Sequence, residues 1–151
     1  MNMMSQLPAM RLYWSSRSPF VRKAMIAAHE TGIASRIETI RVEVAVSKLN
    51  ADVMAHNPLN KIPTLVLENG EVLFDSRVIC EYFDSLNAGP RLFPSNDRFN
   101  IGHLAIGCAL GYLDFRYADD DWRRGHSKLA EWHKGFAERE SVKQTAHANV
   151  Y

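Results

Sequence analysis

Apolar and polar positions change period several times along the chain, and each change predicts an element. The short apolar run from Met10 to Trp14 reads as a strand. Val21, Ala24, Met25 and Ala28 then recur at i, i+3, i+4 and i+7, which predicts a helix from Pro19 to Thr31. Ser18 is placed to cap it, Pro19 suits its first turn, and Gly32 suits its stop. From Ile37 to Val44 the period drops to two. Ile40, Val42 and Val44 alternate against Arg41 and Glu43, so a second strand is expected. The stretch SKLNADVMAHNPLN is mixed and holds a short helix at most. IPTLVLENGEVLF contains two β-rich runs around Asn69-Gly70, a strong hairpin signal. A further helix begins near Ser76. Val78, Ile79, Tyr82, Phe83 and Leu86 form its expected apolar stripe, and Asn87 to Pro90 end it.

The resulting order is β-α-β-(α)-β-β-α. Strands joined through a helix run parallel, and hairpin strands run antiparallel. The expectation is an α/β domain over residues 9–88, with a four-stranded mixed sheet and helices on both faces, the thioredoxin-like arrangement. After LFPSND the pattern changes. Ile101, Leu104, Ala105, Ile106, Cys108, Ala109, Leu110, Tyr112 and Leu113 make the next helix apolar nearly all round, the mark of a helix covered on every side. SKLAEWHKGFAER is the other convincing helix beyond it, and one amphipathic helix cannot supply that cover. Residues 95–151 therefore read as a truncated all-α domain whose core helix has lost part of its surroundings.

The 151 residues are 46% hydrophobic and 23% charged, a globular composition and not a disordered one. A formal net charge of +1 gives no global field for nucleic acid or an anionic membrane, and neither is an expected partner. Arg22-Lys23 and Arg123-Arg124 read as solvated faces, and Trp122, Trp132 and Phe136 as core anchors. The longest apolar run is too short to span a bilayer, and MNMMSQLPAM lacks the pattern of a secretory signal, so the expected address is the cytoplasm. Cys80 and Cys108 fall in apolar helical patterns and read as buried, reduced thiols. The six histidines show no metal-ligand spacing, so no metal is expected.

Candidate chemistry gathers where polar residues open an element. Ser15, Ser16 and Ser18 precede the first helix, whose N-terminus presents unpaired N–H groups and partial positive charge, a natural anion site. Ser18-Pro19-Phe20-Val21 stands where thiol-disulfide exchange would need Cys-x-x-Cys. A serine cannot form the mixed disulfide, which argues against a reductase. Ile62-Pro63 begins a strand, where a proline is allowed in trans as well as in cis. Asp75-Ser76 begins a helix as a capping pair, and capping geometry also aims N–H groups at a carboxylate.

Four segments carry a resemblance in their order and spacing: SSRSPFVRKAMIAAHETG, NPLNKIPTLV, LFDSRVICEYFD, and GHLAIGCALGYLDFR with DDWRRGHSKLAEWHKGFAERES. Together they resemble the glutathione transferase family, in its serine-type bacterial branch, similar also to the tau and zeta classes. The resemblance implies an enzyme that takes glutathione as co-substrate, ionises its thiol and passes it to an electrophilic small molecule. It implies that Ser18, ahead of Ser15 and then Ser16, donates a hydrogen bond to the thiolate. Lowering a thiol pKa by about two units takes roughly 2.7 kcal/mol. A hydrogen bond to a charged group contributes about 1.5–3 kcal/mol and a helix end about 0.3–1 kcal/mol, so one serine at a helix N-terminus suffices. It further implies a cis bond before Pro63 that exposes the backbone of Ile62 to the cysteinyl segment of glutathione. Asp75 would accept from the γ-glutamyl ammonium, Ser76 would bind its carboxylate, and Lys61 or Lys48 would reach the glycyl carboxylate. The expected partners are glutathione, an electrophile and a second copy of the chain.

The family places two long helices between LFP and the segment resembling GHLAI, and here only Ser95 to Asn100 stand between them. Either an internal deletion or a longer chain with that stretch omitted explains it. The alternative function is a glutathione-binding or remnant module without transferase activity.

Overall fold

Strand β1 (Met10–Trp14) lies inside a four-stranded sheet of order β2-β1-β3-β4. The computed structural model describes residues 10–89, 91–93 and 99–149. β2 (Ile37–Arg41) runs parallel to β1, with Met10 opposite Ile37 and Trp14 opposite Arg41. β3 (Thr64–Val66) pairs antiparallel with β1, Leu12 opposite Leu65, and β4 (Val72–Leu73) pairs antiparallel with β3. The expected mixed sheet is thus present. Strand alternation divides its residues between two cores. Met10, Leu12 and Leu65 pack beneath α1 (Pro19–Glu30) and α3 (Ser76–Ser85). Tyr13 and Val66 face the other way, onto Val42 and Val53 of α2 (Ala51–Met54).

Helix α1 starts where its cap and proline place it. The Ser18 hydroxyl oxygen accepts from the Val21 N–H at 3.3 Å, and Pro19 occupies the first turn. Thr31 caps the other end, donating from its hydroxyl to the Ala27 carbonyl at 2.8 Å, and Gly32 follows with φ 75°. Ala24, Ala27 and Ala28 are fully buried. Small side chains there let α1 lie close to the sheet and to its helical neighbours α3, α4 (Ile101–Arg116) and α6 (Glu140–Gln144).

Several expectations need correction. β2 ends at Arg41 instead of Val44, because its partner β1 ends at Trp14. One more ladder bond, Val42 N–H to the Trp14 carbonyl at 3.0 Å, is made before the chain turns at Ala45–Lys48. The buried stripe of α3 is Ser76, Ile79, Cys80, Phe83 and Asp84, while Val78 and Leu86 are exposed. The stripe's polar members decide its orientation. The Asp84 carboxylate accepts from the backbone N–H groups of Leu92 at 2.6 Å and Phe93 at 3.2 Å, so it must face inward. Helix α4 is apolar all round yet covered on one side only. Leu104, Gly107, Cys108 and Leu110 are buried against α1 and α5 (Ser127–Ala137), while Ile106 is 51% and Leu113 36% exposed. Helix α6 was not expected, since five residues are too few to show a period. It is anchored by Glu30, whose carboxylate accepts from Arg139 and from the Ser141 hydroxyl at 2.6 Å. Arg22 is not a solvated side chain. It is wedged against α4, where a Cβ at Gly111 would stand 2.5 Å from its Nη1. The expected second-domain boundary at Ser95 lies outside the described residues. Among the described residues no helix is long and apolar enough to cross a membrane.

Candidate functional site

At the end of β1 the chain cannot continue the ladder, because the serines that follow fold it into a tight turn. The Ser18 N–H donates to the Ser15 carbonyl at 3.2 Å, and the Ser15 hydroxyl oxygen accepts from the Arg17 N–H at 3.3 Å. Ser15 and Ser18 then face one cleft of about 550 Å³. Each serine oxygen accepts one backbone N–H and keeps its own proton as a donor. Ser16 points the other way, its hydroxyl donating to the Ala148 carbonyl at 2.9 Å, and it does not line the cleft.

Lys61 and Ile62 line the same cleft. The Ile62-Pro63 peptide is cis, and Pro63 is buried. No hydrogen bond within the described residues uses the N–H or C=O of Ile62. This loop is shaped by two asparagines that the sequence reading did not single out. Asn57 is fully buried, donates to the Lys61 carbonyl at 3.2 Å and the Thr64 hydroxyl at 2.9 Å, and accepts from the Leu59 N–H at 3.0 Å. Asn60, at φ 52°, donates to the carbonyls of Ala45 and Lys48 and accepts from the Asn50 N–H, joining the loop to the cleft's far rim. The turn-forming composition of HNPLNKIP was the available signal.

Asp75 and Ser76 are not brought into this cleft. They open α3, where the Asp75 carboxylate caps the helix by accepting from the Arg77 N–H at 2.8 Å, and Ser76 is buried. The cleft instead gains residues no local pattern pointed to: Arg17, Glu43, and Tyr112 and Arg116 from the last turns of α4. Arg116 lies over the Tyr112 and Phe115 rings at 5.8 and 5.6 Å, and its Nε donates to the Tyr112 hydroxyl at 3.3 Å. Lys48 pairs with Glu43, and that hydrogen bond holds the Glu43 carboxyl below the usual carboxylate range. Four cations, Arg17, Lys48, Lys61 and Arg116, therefore surround one carboxylate. The cleft suits an anionic ligand whose charge ends at the serines and the α1 N-terminus.

The thiols are elsewhere. Cys80 and Cys108 are free and buried, and burial pushes them up to about 12 and about 11. Neither ionises at neutral pH, and neither lines the cleft.

The family model described as glutathione S-transferase, N-terminal domain, matches residues 17–86, and that for the C-terminal domain matches residues 78–135. An uncharacterized GST-like protein of Escherichia coli, YibF, is 41% identical over 203 residues, covering 90% of this chain and 98% of that protein. The chain belongs to the glutathione S-transferase family. A glutathione transferase family member from Pseudomonas fluorescens, solved with bound glutathione, is 28% identical. It superposes with a TM-score of 0.89, covering 92% of this chain and 99% of that one. The same fold, solved with bound S-(propanoic acid)-glutathione, gives 27% identity and a TM-score of 0.83 over 92% and 100%. In glutathione S-transferase terms, the described chain comprises the sheet domain and a helical region.

Proposed function

We propose that the cleft binds glutathione, that Ser18 donates a hydrogen bond to its thiolate, and that the thiolate is conjugated to an electrophilic small molecule. Glutathione carries two carboxylates and one ammonium, so with its thiol ionised it is a dianion, matched by the cationic rim. In the conjugation step the sulfur electron pair forms a bond to the electrophilic carbon. The displaced group, or a proton taken up from solvent, balances the charge. Ser15 is the second donor within reach, and Ser16 is excluded by its bond to Ala148. The unused backbone groups of Ile62 pair with the cysteinyl segment, and Lys61 meets the glycyl carboxylate. Asp75 and Ser76 lie outside the cleft, so the γ-glutamyl end, which the family resemblance assigns to them, would extend beyond it to the N-terminus of α3.

The observation that carries this reading is the meeting of two serine hydroxyls, the Ile62 backbone and Lys61 in one basic cleft. The related structures add support, since one holds glutathione and the other glutathione substituted at sulfur. Calorimetric titration with glutathione tests it. Asp75→Ala and Ser76→Ala are each expected to weaken binding by about 1–3 kcal/mol, and unchanged isotherms for both would remove those residues from the site.

A second reading is a glutathione-binding module without transferase activity. The alignment with the E. coli relative runs over 203 residues, more than the chain's 151, so part of that relative stands opposite a gap. We place the gap after Pro94, where it would remove helices that shape the acceptor side of the cleft. Binding without turnover of any generic electrophile would select this second reading.

A further inference from the structure

After α6 the chain runs back to the serine loop, and residues 145–149 hold that loop from behind. Ser16 is fixed at two points. Its hydroxyl donates to the Ala148 carbonyl at 2.9 Å, and its own carbonyl lies 3.0 Å from Nδ1 of His147. A carbonyl only accepts, so Nδ1 carries the proton, and in the neutral ring Nε2 carries none. Nε2 is buried with no hydrogen-bond partner among the described residues. The imidazole stacks on Phe115, with centroids 5.1 Å apart, and meets Tyr112 edge-on at 5.7 Å. Tyr112 lines the cleft, and Ser16 follows Ser15, which also lines it. One imidazole therefore joins the α4 wall of the cleft to the serine loop.

We propose that neutral His147 is a positioning residue, which by donating to Ser16 while packed on Tyr112 and Phe115 holds the serine loop in register with α4. This rests on the thiolate role assigned above to the serines. The groups facing the ring are the cations Arg22 from α1 and Arg116 from α4, together with the Tyr112 phenol and the Ser16 carbonyl. Burial first, and then the two arginines, hold the imidazole below its ordinary range, against the Ser16 carbonyl, which favours the proton. A second proton would sit on Nε2 with no acceptor and two cations nearby. Acidification therefore releases the ring from its packing and loosens the serine loop.

The test uses two variants. His147→Asn keeps a donor at the position of Nδ1 and cannot titrate, whereas His147→Leu keeps apolar bulk and removes the donor. In the free protein the readout is hydrogen-exchange protection of the Arg17 and Ser18 amides, whose bonds to Ser15 close the loop. Wild type is expected to lose protection about tenfold between roughly pH 7.5 and pH 5. His147→Asn should keep wild-type protection across that range, and His147→Leu should lose about tenfold throughout. With glutathione bound, His147→Leu should raise the thiol pKa by about half a unit or more and lower kcat, with KM for glutathione within about twofold. Equal protection in all three proteins, or an Asn variant as impaired as the Leu variant, would overturn the proposal. If wild type bound no glutathione, the thiolate reading would fall, and the exchange measurement on the free protein would still decide the role of His147.

Discussion

Replacing Ser18 separates the helix cap it forms from the thiolate donor proposed for the same hydroxyl. As a cap, its oxygen accepts from the Val21 N–H at 3.3 Å, a long bond. Its loss in Ser18→Ala belongs at the lower end of the range for caps, about 0.5–1 kcal/mol, a fall in Tm of roughly 1–4 °C for a chain of this size. As a donor to a thiolate, the same hydroxyl is worth about 1.5–3 kcal/mol, or roughly 10- to 150-fold in turnover. Ser18→Ala should therefore be nearly as stable as wild type and far less active. Ser18→Asp sharpens the distinction: aspartate caps as well as serine but puts a second anion beside the sulfur. It should unfold within about 1 °C of wild type and fall below the alanine variant in turnover. Ser18→Thr keeps both functions. Thermal unfolding, and steady-state conjugation of glutathione to a generic electrophile, measure the two effects side by side. A Ser18→Ala enzyme that turns over normally while Ser15→Ala does not would refute the assignment and move the donor to Ser15. An Asp variant more active than the alanine variant would refute the electrostatic reasoning itself.

Three further outcomes follow from the packing. Gly107→Ala should destabilise by about 1–3 kcal/mol or more, because its Cβ would lie 2.3 Å from ring carbons of buried Phe136. A Phe136→Leu background should recover part of the loss in denaturant titrations, and simple additivity of the two substitutions would contradict this. His133 and His147 both have pKa values lowered chiefly by burial. The unfolded chain therefore takes up their protons first, so their contribution is complete above about pH 6.5 and is lost as pH falls through the lowered folded-state values. A denaturation midpoint that stays flat or rises between about pH 7.5 and pH 5 would contradict that sign. Ile106 and Leu113 project from α4 seven residues apart on its uncovered side. Sedimentation should show concentration-dependent association that Ile106→Lys with Leu113→Lys reduces, and a wild-type monomer at all concentrations would contradict it.

Much of the sheet domain was written locally. The apolar run of β1, the period of two in β2, the stripe and cap of α1 and the Asn69-Gly70 turn each involve neighbours in the chain. Their signals survive without knowledge of the fold, and together they set the order of elements and a mixed sheet, while the strand order β2-β1-β3-β4 comes from the structure. Ser15 and Ser18 stood out locally as polar residues opening a helix, whereas Lys61 and the Ile62 backbone were implied by the family resemblance; all four line one cleft. What the tertiary structure alone decided is which distant surfaces meet. The exclusion of Ser16 depends on Ala148, 132 residues away, and the setting of the serine loop on His147, 131 residues away. Tyr112 and Arg116 enter the cleft only because α4 packs on α1. Hydrophobicity placed Ile79 and Phe83 on the face that α3 buries but wrongly added Val78 and Leu86, while the Asp84 carboxylate, with backbone donors to satisfy, shares that face. The uncovered side of α4 has the same origin: periodicity reports how apolar a helix is, while the neighbours available in space decide how much of it is buried.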